Sequence, residues 1–277
     1  MLRIDVITLF PEVFTPLRAS IPARAQKAGA AELVLHSLRE WGMGKHRQVD
    51  DNPYGGGPGM VMSPPPLFAA LESVQSQGSP GHIIYLTPQG RPLDQGRVLE
   101  LAQLPRLILL CGHYEGIDER VIEHWVDEEI CIGDFVVSGG ELPAMMLIDA
   151  IFRVLPGVLT PGSAEQDSFY AGLLDHPQYT RPAEFAGHRV PDVLLSGHHT
   201  HVERWRREQS LARTQERRPD LYKRWLEHEE ATSSARNRAG DTVEGVPNGQ
   251  ETNPCGPREQ EERQTGSSPQ AGEASPS

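Results

Sequence analysis

LILLCGHYEGIDERVIEHW, residues 107–125, carries three signals in succession. LILLC (107–111) is a short unbroken apolar run, the pattern of a strand buried on both faces. A turn with glycines at both ends follows. IDERVIEHW is then helical in character, with Asp118 placed to cap its N-terminus. Strand, glycine turn and helix make a β-α unit, and the flanking sequence repeats it. Upstream, HIIYL (82–86) reads as a strand and LDQGRVLELA (93–102) as a helix. Downstream, DEEICI (127–132) is a strand and ELPAMMLIDAIFRVL (141–155) a strongly apolar helix. Nearer the N-terminus, RIDVITL (3–9) and ELVLHSL (32–38) are strands around a helical stretch near Val13–Ala28, and SPPPLFAALESV (63–74) is a further helix. This alternation predicts an α/β domain with a largely parallel sheet.

In such folds ligands bind in the loops that follow the strands. Three of these loops are rich in small residues: LTPQGRPLDQG (86–96), CGHYEGIDER (111–120) and IGDFVVSGGELP (132–143). Each glycine taken singly reads equally well as a turn residue. Three loops on one side of a sheet, however, can wrap one flat ligand with backbone donors and acceptors. A fourth stretch, DNPYGGGPGM (51–60), leaves still more backbone bare. Such a run is costly to order, so it is either a tight loop or a place where something approaches the main chain closely. Familiar fingerprints are missing: no G-x-G-x-x-G follows the first strand, no Gly-Lys-Ser/Thr closes the glycine run, and no H-E-x-x-H occurs.

The 277 residues carry a formal charge of −12, so a polyanion is not the first partner to expect. The charge is uneven. VERWRREQSLARTQERRP and DLYKRWLEHEE read as helices dense in arginine, a basic limb on an acidic protein. The histidines of GHHTH (197–201), just before it, read as solvated or phosphate-facing rather than as metal ligands. The 3 cysteines form no CxxC, which argues against a disulfide framework or a structural zinc site. No apolar run is long enough to span a bilayer and no signal-peptide pattern opens the chain, so no membrane partner and a cytoplasmic location are expected. Between the β-α region and the helices the pattern stops, at PGVLTPGSAEQDSFYAGLL (156–174), which reads as a linker. From Thr232 the sequence is Gly, Pro, Ser, Glu and Gln with almost nothing to bury, and is expected to be a disordered tail (232–277).

Six stretches together carry a resemblance: VDDNPYGGGPGMVM, YLTPQGRPLDQ, LCGHYEGIDERV, IGDFVVSGGELPAM, DSFYAGLLDHPQYTRP and SGHHTHVERWRREQSLARTQERRPDL. In order and spacing the chain resembles the bacterial tRNA (guanine-N1)-methyltransferases of the TrmD type over roughly residues 1–230. The resemblance implies a parallel-sheet SPOUT domain (1–157) with a deep trefoil knot on the C-terminal side of the sheet, at about 85–143. It further implies a flexible interdomain linker (158–174) and a small α-helical tRNA-binding C-terminal domain (175–231). S-adenosylmethionine would bind in the knot, and the enzyme would be a homodimer with its active site between subunits. The substrate would be the anticodon stem-loop of tRNA, methylated on N1 of the guanine immediately 3′ of the anticodon, position 37. Magnesium is associated with the family, but no dedicated ligand cage is visible here.

Residue by residue, the resemblance assigns Tyr85, Leu86, Pro88 and Gln89 to the adenine. Gly112, Tyr114, Glu115 and Gly116 would form a second wall. Ile132, Gly133, Asp134, Phe135, Val136, Val137, Gly139, Gly140 and Pro143 would form a third. His113 stands where some members carry arginine, and Phe135 where a tyrosine is common. Guanine N1 carries a proton at neutral pH and is a poor nucleophile, so the site needs a base and a stabiliser of charge spreading toward O6. By the match, Asp167 is that base and Arg153 that cation. A free aspartate, with a pKa near ~3.9, cannot strip the guanine beforehand, so proton removal must accompany methyl attack or burial must raise the pKa. Without the match Asp167 reads as a turn or cap residue and Arg153 as a helix C-terminal arginine. Lys45, Arg47, Tyr54, Gly55, Gly56, Gly57 and Gly59 would lie beside the target nucleotide, together with Ser168 and Asp175. Arg204, Arg207, Arg213 and Arg217 would meet the tRNA backbone. Three alternatives stay open: a related SPOUT enzyme acting on another RNA position, an RNA-binding module without catalysis, and, more remotely, a Cys111/His113 hydrolase.

Overall fold

The computed structural model describes residues 1–160, 162–164 and 166–240. Its centre is a five-stranded sheet built from β1 (Leu2–Thr8), β2 (Ala31–Ser37), β5 (His82–Pro92), β6 (Arg106–Cys111) and β7 (Glu128–Cys131), in the order β2-β1-β6-β5-β7. Every neighbouring pair is parallel. Alternate residues of each strand go to opposite faces. Ile4, Val6, Ile84, Leu86, Leu107 and Leu109 join one buried cluster, whereas Ile7, Ile83, Tyr85, Ile108 and Leu110 join another. The first cluster is covered by α1 (Ser20–Lys27), α3 (Gln95–Leu101) and α5 (Glu141–Val154). The second is covered by α2 (Pro64–Gln75) and α4 (Glu119–Trp125). Two covered faces explain why LILLC is apolar throughout: every residue of β6 is buried.

Asp5 is a carboxylate fully buried inside the sheet. Its carboxylate accepts from Arg3, His36 and Arg106 at 2.8–2.9 Å. Arg106 is itself buried and spends its remaining donors on the carbonyls of Val74 and Ser79. Burial alone would push the Asp5 carboxyl up; the hydrogen bonds from His36, Arg3 and Arg106 outweigh it and hold the group well below the usual carboxylate range.

The structure departs from the sequence reading at several places. The helix expected near Val13–Ala28 is two pieces, a 3₁₀ segment Pro11–Arg18 and then α1, because Pro16 and Pro22 withhold backbone donors and Ser20 turns to φ 52°. The strand beginning at His82 does not end at Leu86. It bulges over Thr87–Gly90 and rejoins β7, so that Leu86 and Arg91 both face Ile130. Asp50–Asp51 (β3) and Val61–Met62 (β4) pair as a short antiparallel ribbon that pinches the base of the glycine loop.

Beyond residue 174 come a second small ribbon, Glu184–Phe185 (β8) with His188–Arg189 (β9), a short helix α6 (Asp192–Leu195), and two long helices, α7 (His199–Arg217) and α8 (Pro219–Gly240). The helix α8 continues nine residues into the tail expected from Thr232, since ATSSARNRAG (231–240) still offers alanine and arginine and ends on glycine. Residues 241–277 lie outside the described residues. Met1–His228 forms one compact unit, which includes the segment 158–174. Among the described residues no helix is long and apolar enough to cross a membrane.

Candidate active site

The three glycine-bearing loops converge. The β5 bulge, the 112–116 loop and the 132–140 loop enclose one cleft of about 360 Å³, within the range of small-molecule sites. Every residue assigned above to the cofactor lines it except Asp134, which is exposed and lies outside the lining. Thr87, His113, Ile117, Glu119, Ile122 and Ser138 line it as well and were not anticipated.

Close packing explains the glycines. A Cβ on Gly112 would lie 2.8 Å from the Tyr85 ring, and one on Gly140 2.7 Å from Cα of Cys111. A Cβ on Gly90 would lie 2.5 Å from the Glu129 carbonyl carbon, so the bulge can rejoin β7 only with glycine there. The second and third loops are tied at their bases, where Gly140 N donates to Gly112 O at 2.9 Å and His113 bridges Gly139. Burial pushes the Tyr85 phenol up, against opposing hydrogen bonds with Thr87 and Ile117, so it is a neutral wall of the cleft. Burial, with Glu141 adding to it, also holds the fully buried Cys111 thiol well above its ordinary value. A thiol kept protonated and out of solvent is not a nucleophile, which removes the hydrolase alternative.

The glycine run adjoins this cleft. Glu115 N donates to Met60 O at 3.0 Å, and Met62 N to Gly116 O at 3.0 Å. Gly59 leaves room for the Glu115 side chain, which a Cβ there would strike. Farther out, Gly55, Gly56 and Gly57 have φ of 83°, 75° and 127° and nothing within 4 Å of where a Cβ would sit. Bare backbone here serves conformation and leaves open space, not packing. Tyr54 at its tip is fully exposed, and Lys45 and Arg47 are exposed nearby in the chain.

A separate polar cavity of about 290 Å³ is lined by Gln95, Arg153, Val154, Ala164, Asp167, Ser168 and Asp175. It therefore brings together both residues expected to be catalytic and two of those expected to meet the substrate. Gln95 was not anticipated. Arg153, in the last turn of α5, pairs with the Asp167 carboxylate, and both are partly exposed. Asp175 N donates to Ser168 Oγ at 2.9 Å. Leu174 is anchored on α7, where its N donates to Thr214 Oγ1 at 2.9 Å and Ser210 Oγ donates to its O at 2.5 Å. Arg213 donates to Asp175 O at 3.3 Å and is half-buried. The Arg207 guanidinium sits 5.9 Å from the Trp225 ring, while Arg204 and Arg217 are exposed. Among the described residues no cluster of three or more His, Cys, Asp or Glu is arranged to hold a metal ion.

A parallel α/β sheet with a loop-built cleft beyond its strand ends defines a ligand-binding α/β domain of the enzyme type. The model of the family described as tRNA (Guanine-1)-methyltransferase TrmD matches residues 2–224, and the chain belongs to that family. Relatives named tRNA (guanine-N(1)-)-methyltransferase match it closely. That of Aromatoleum aromaticum is 57% identical over 226 residues, 79% of this chain and 86% of the relative. That of Thermosynechococcus vestitus is 54% identical over 228 residues, 81% of this chain and 96% of the relative. That of Gloeobacter violaceus is 54% identical over 223 residues, 79% of this chain and 98% of the relative.

Proposed function

We propose that this chain transfers a methyl group from S-adenosylmethionine to N1 of the guanine immediately 3′ of the anticodon, position 37 of tRNA. The observation that carries the reading is the convergence of three β-α loops on one cleft in a chain of this family. The cleft fits the donor. Tyr85, Leu86 and Ile130 offer apolar surface for an adenine, and the bare loops offer backbone polar groups to its edges. The ligand supplies an electrophilic sulfonium methyl; the protein supplies shape and proton handling.

Asp167 accepts the N1 proton as the methyl arrives, and Arg153 faces the charge that spreads to O6. Their mutual pairing keeps both poised until guanine enters and takes a partner from each.

A homodimer completes the site. The cleft and the Arg153–Asp167 cavity share no lining residue, so in this reading the donor in one subunit meets the Asp167 of the other. Exposed apolar residues around the cleft and on α5 (Phe135, Val136, Leu142 and Met146) are the kind of surface a partner subunit covers. The glycine loop and the exposed arginines of α7 then receive the anticodon stem-loop, the former at the flipped base and the latter at phosphates.

The test is methyl transfer from S-adenosylmethionine to unmodified tRNA transcripts, read by nucleoside mass analysis. N1-methylguanosine on a transcript with guanine before the target, and little on one with adenine there, is the expected result. A methylated ribose or another base instead would favour a different SPOUT reaction.

A further inference from the structure

His113 and Glu141 form a buried tie that the proposed chemistry does not use. His113 lines the cleft at the start of the second loop. Its Nε2 lies 2.7 Å from Glu141 Oε2, in the first turn of α5. Glu141 is only 4% exposed, and a carboxylate so enclosed requires donors. Its other oxygen accepts from Thr8 Oγ1 at 2.6 Å, and Thr8 Oγ1 in turn accepts from Phe10 N at 3.0 Å. The ring of His113 rests edge-on against Phe10, with centroids 5.0 Å apart. Gly139 is bare where this pair lies, and a Cβ there would strike both His113 and Glu141. The C-terminal end of β1, the N-terminus of α5 and two walls of the cleft thus meet at one carboxylate.

We infer that His113 is a positioning residue for the methyl donor: through Glu141 it fixes the spacing between the 112–116 and 136–140 walls. The pairing sets the ring as well, because a ring that donates from Nε2 to Glu141 presents its edge to the cleft in one orientation. This inference rests on the reading of the cleft as the donor site. Without the imidazole, one oxygen of Glu141 loses its donor inside the protein. The third loop then relaxes outward or admits water, and the donor loses a preformed wall.

Calorimetric binding of S-adenosylmethionine to wild type, His113→Ala and His113→Gln, with a thermal melt of each, tests this. A glutamine amide can still donate to Glu141, so it separates the hydrogen bond from the ring packing on Phe10. The expected result is binding weakened about tenfold or more in His113→Ala, most of it restored in His113→Gln, and the loss seen in KM for the donor rather than in kcat. Donor binding by folded His113→Ala within twofold of wild type would overturn the inference. So would a His113→Gln protein that binds as weakly as the alanine variant. If wild type itself binds no donor, the reading of the cleft fails, and this inference with it.

Discussion

The Arg153 guanidinium pairs with the Asp167 carboxylate across fourteen residues of sequence, joining the last turn of α5 to the segment that follows it. An exposed pair of this kind contributes little to stability. Its interest is chemical: it places a cation and a carboxylate side by side in a polar cavity of about 290 Å³. A guanine entering there offers the complementary set, an N1–H for the carboxylate and an O6 for the guanidinium.

Arg153→Ala therefore lowers the methyl-transfer rate by about 10²–10³, the loss seen when one donor to a developing oxyanion is removed. Donor affinity stays unchanged, because Arg153 does not line the donor cleft. Single-turnover rates with tRNA, alongside calorimetry with S-adenosylmethionine, separate the two quantities.

The glycines divide into two classes with opposite expected phenotypes. Gly140→Ala places a methyl 2.7 Å from the Cys111 backbone, overpacking of about 1–3 kcal/mol, and weakens donor binding by deforming the tie to Gly112. Gly56→Ala meets nothing within 4 Å but holds φ at 75°, a strain of roughly 1–2 kcal/mol for an alanine. It leaves donor binding intact and lowers tRNA methylation. Melting temperature, donor affinity and KM for tRNA, measured on both variants, check the contrast. Normal methylation by Gly56→Val would contradict a close approach of RNA to this loop.

Asp5 sets an acid limit on the fold. Because its carboxyl is held below the ordinary range, the folded protein binds fewer protons than the unfolded chain, and the network's contribution is fully present above the unfolded pKa of about 3.9. It is lost as pH falls below about 4 toward the depressed folded value. Asp5→Asn leaves the buried Arg106 without its counter-charge, at a cost of about 3–5 kcal/mol near neutral pH. Urea unfolding of both proteins at pH 7 and pH 3.5 is expected to show the gap narrowing at the lower pH.

Exposed Arg204 and Arg217 are the cleanest probes of phosphate contact, since Arg213 is committed to the Asp175 carbonyl and Arg207 lies over Trp225. Replacing either exposed arginine by glutamine reduces the slope of log K against log salt by about 0.7–0.9, one released counterion, with no change in sequence preference. Arg213→Gln instead loosens the linker end and lowers the catalytic rate along with affinity.

Much of this architecture was legible because alternating strand and helix signals are local. LILLC, HIIYL and ELPAMMLIDAIFRVL each fall in the element their pattern indicated. The continuation of β5 was not legible: TPQG carries turn residues, and only pairing with β7 on both sides of the bulge makes it part of a strand. The cleft residues were grouped in the sequence by the family motifs alone, and Asp134 is the one of them that does not line the cleft, since a loop motif does not fix the surroundings of each side chain. His113 and Glu141 lie 28 residues apart and meet only because two loops fold onto one another. No periodicity or spacing carries such a contact. The end of α8 is not legible either, because 231–240 is poor in apolar residues and keeps its helix on propensity alone.

The most direct test of the account is the single-turnover methyl-transfer rate of Asp167→Asn, with tRNA and S-adenosylmethionine both saturating. Loss of a general base predicts a fall of about 10²–10⁴ with both ligands still bound. A rate within a few-fold of wild type would contradict Asp167 as the group that takes the guanine N1 proton.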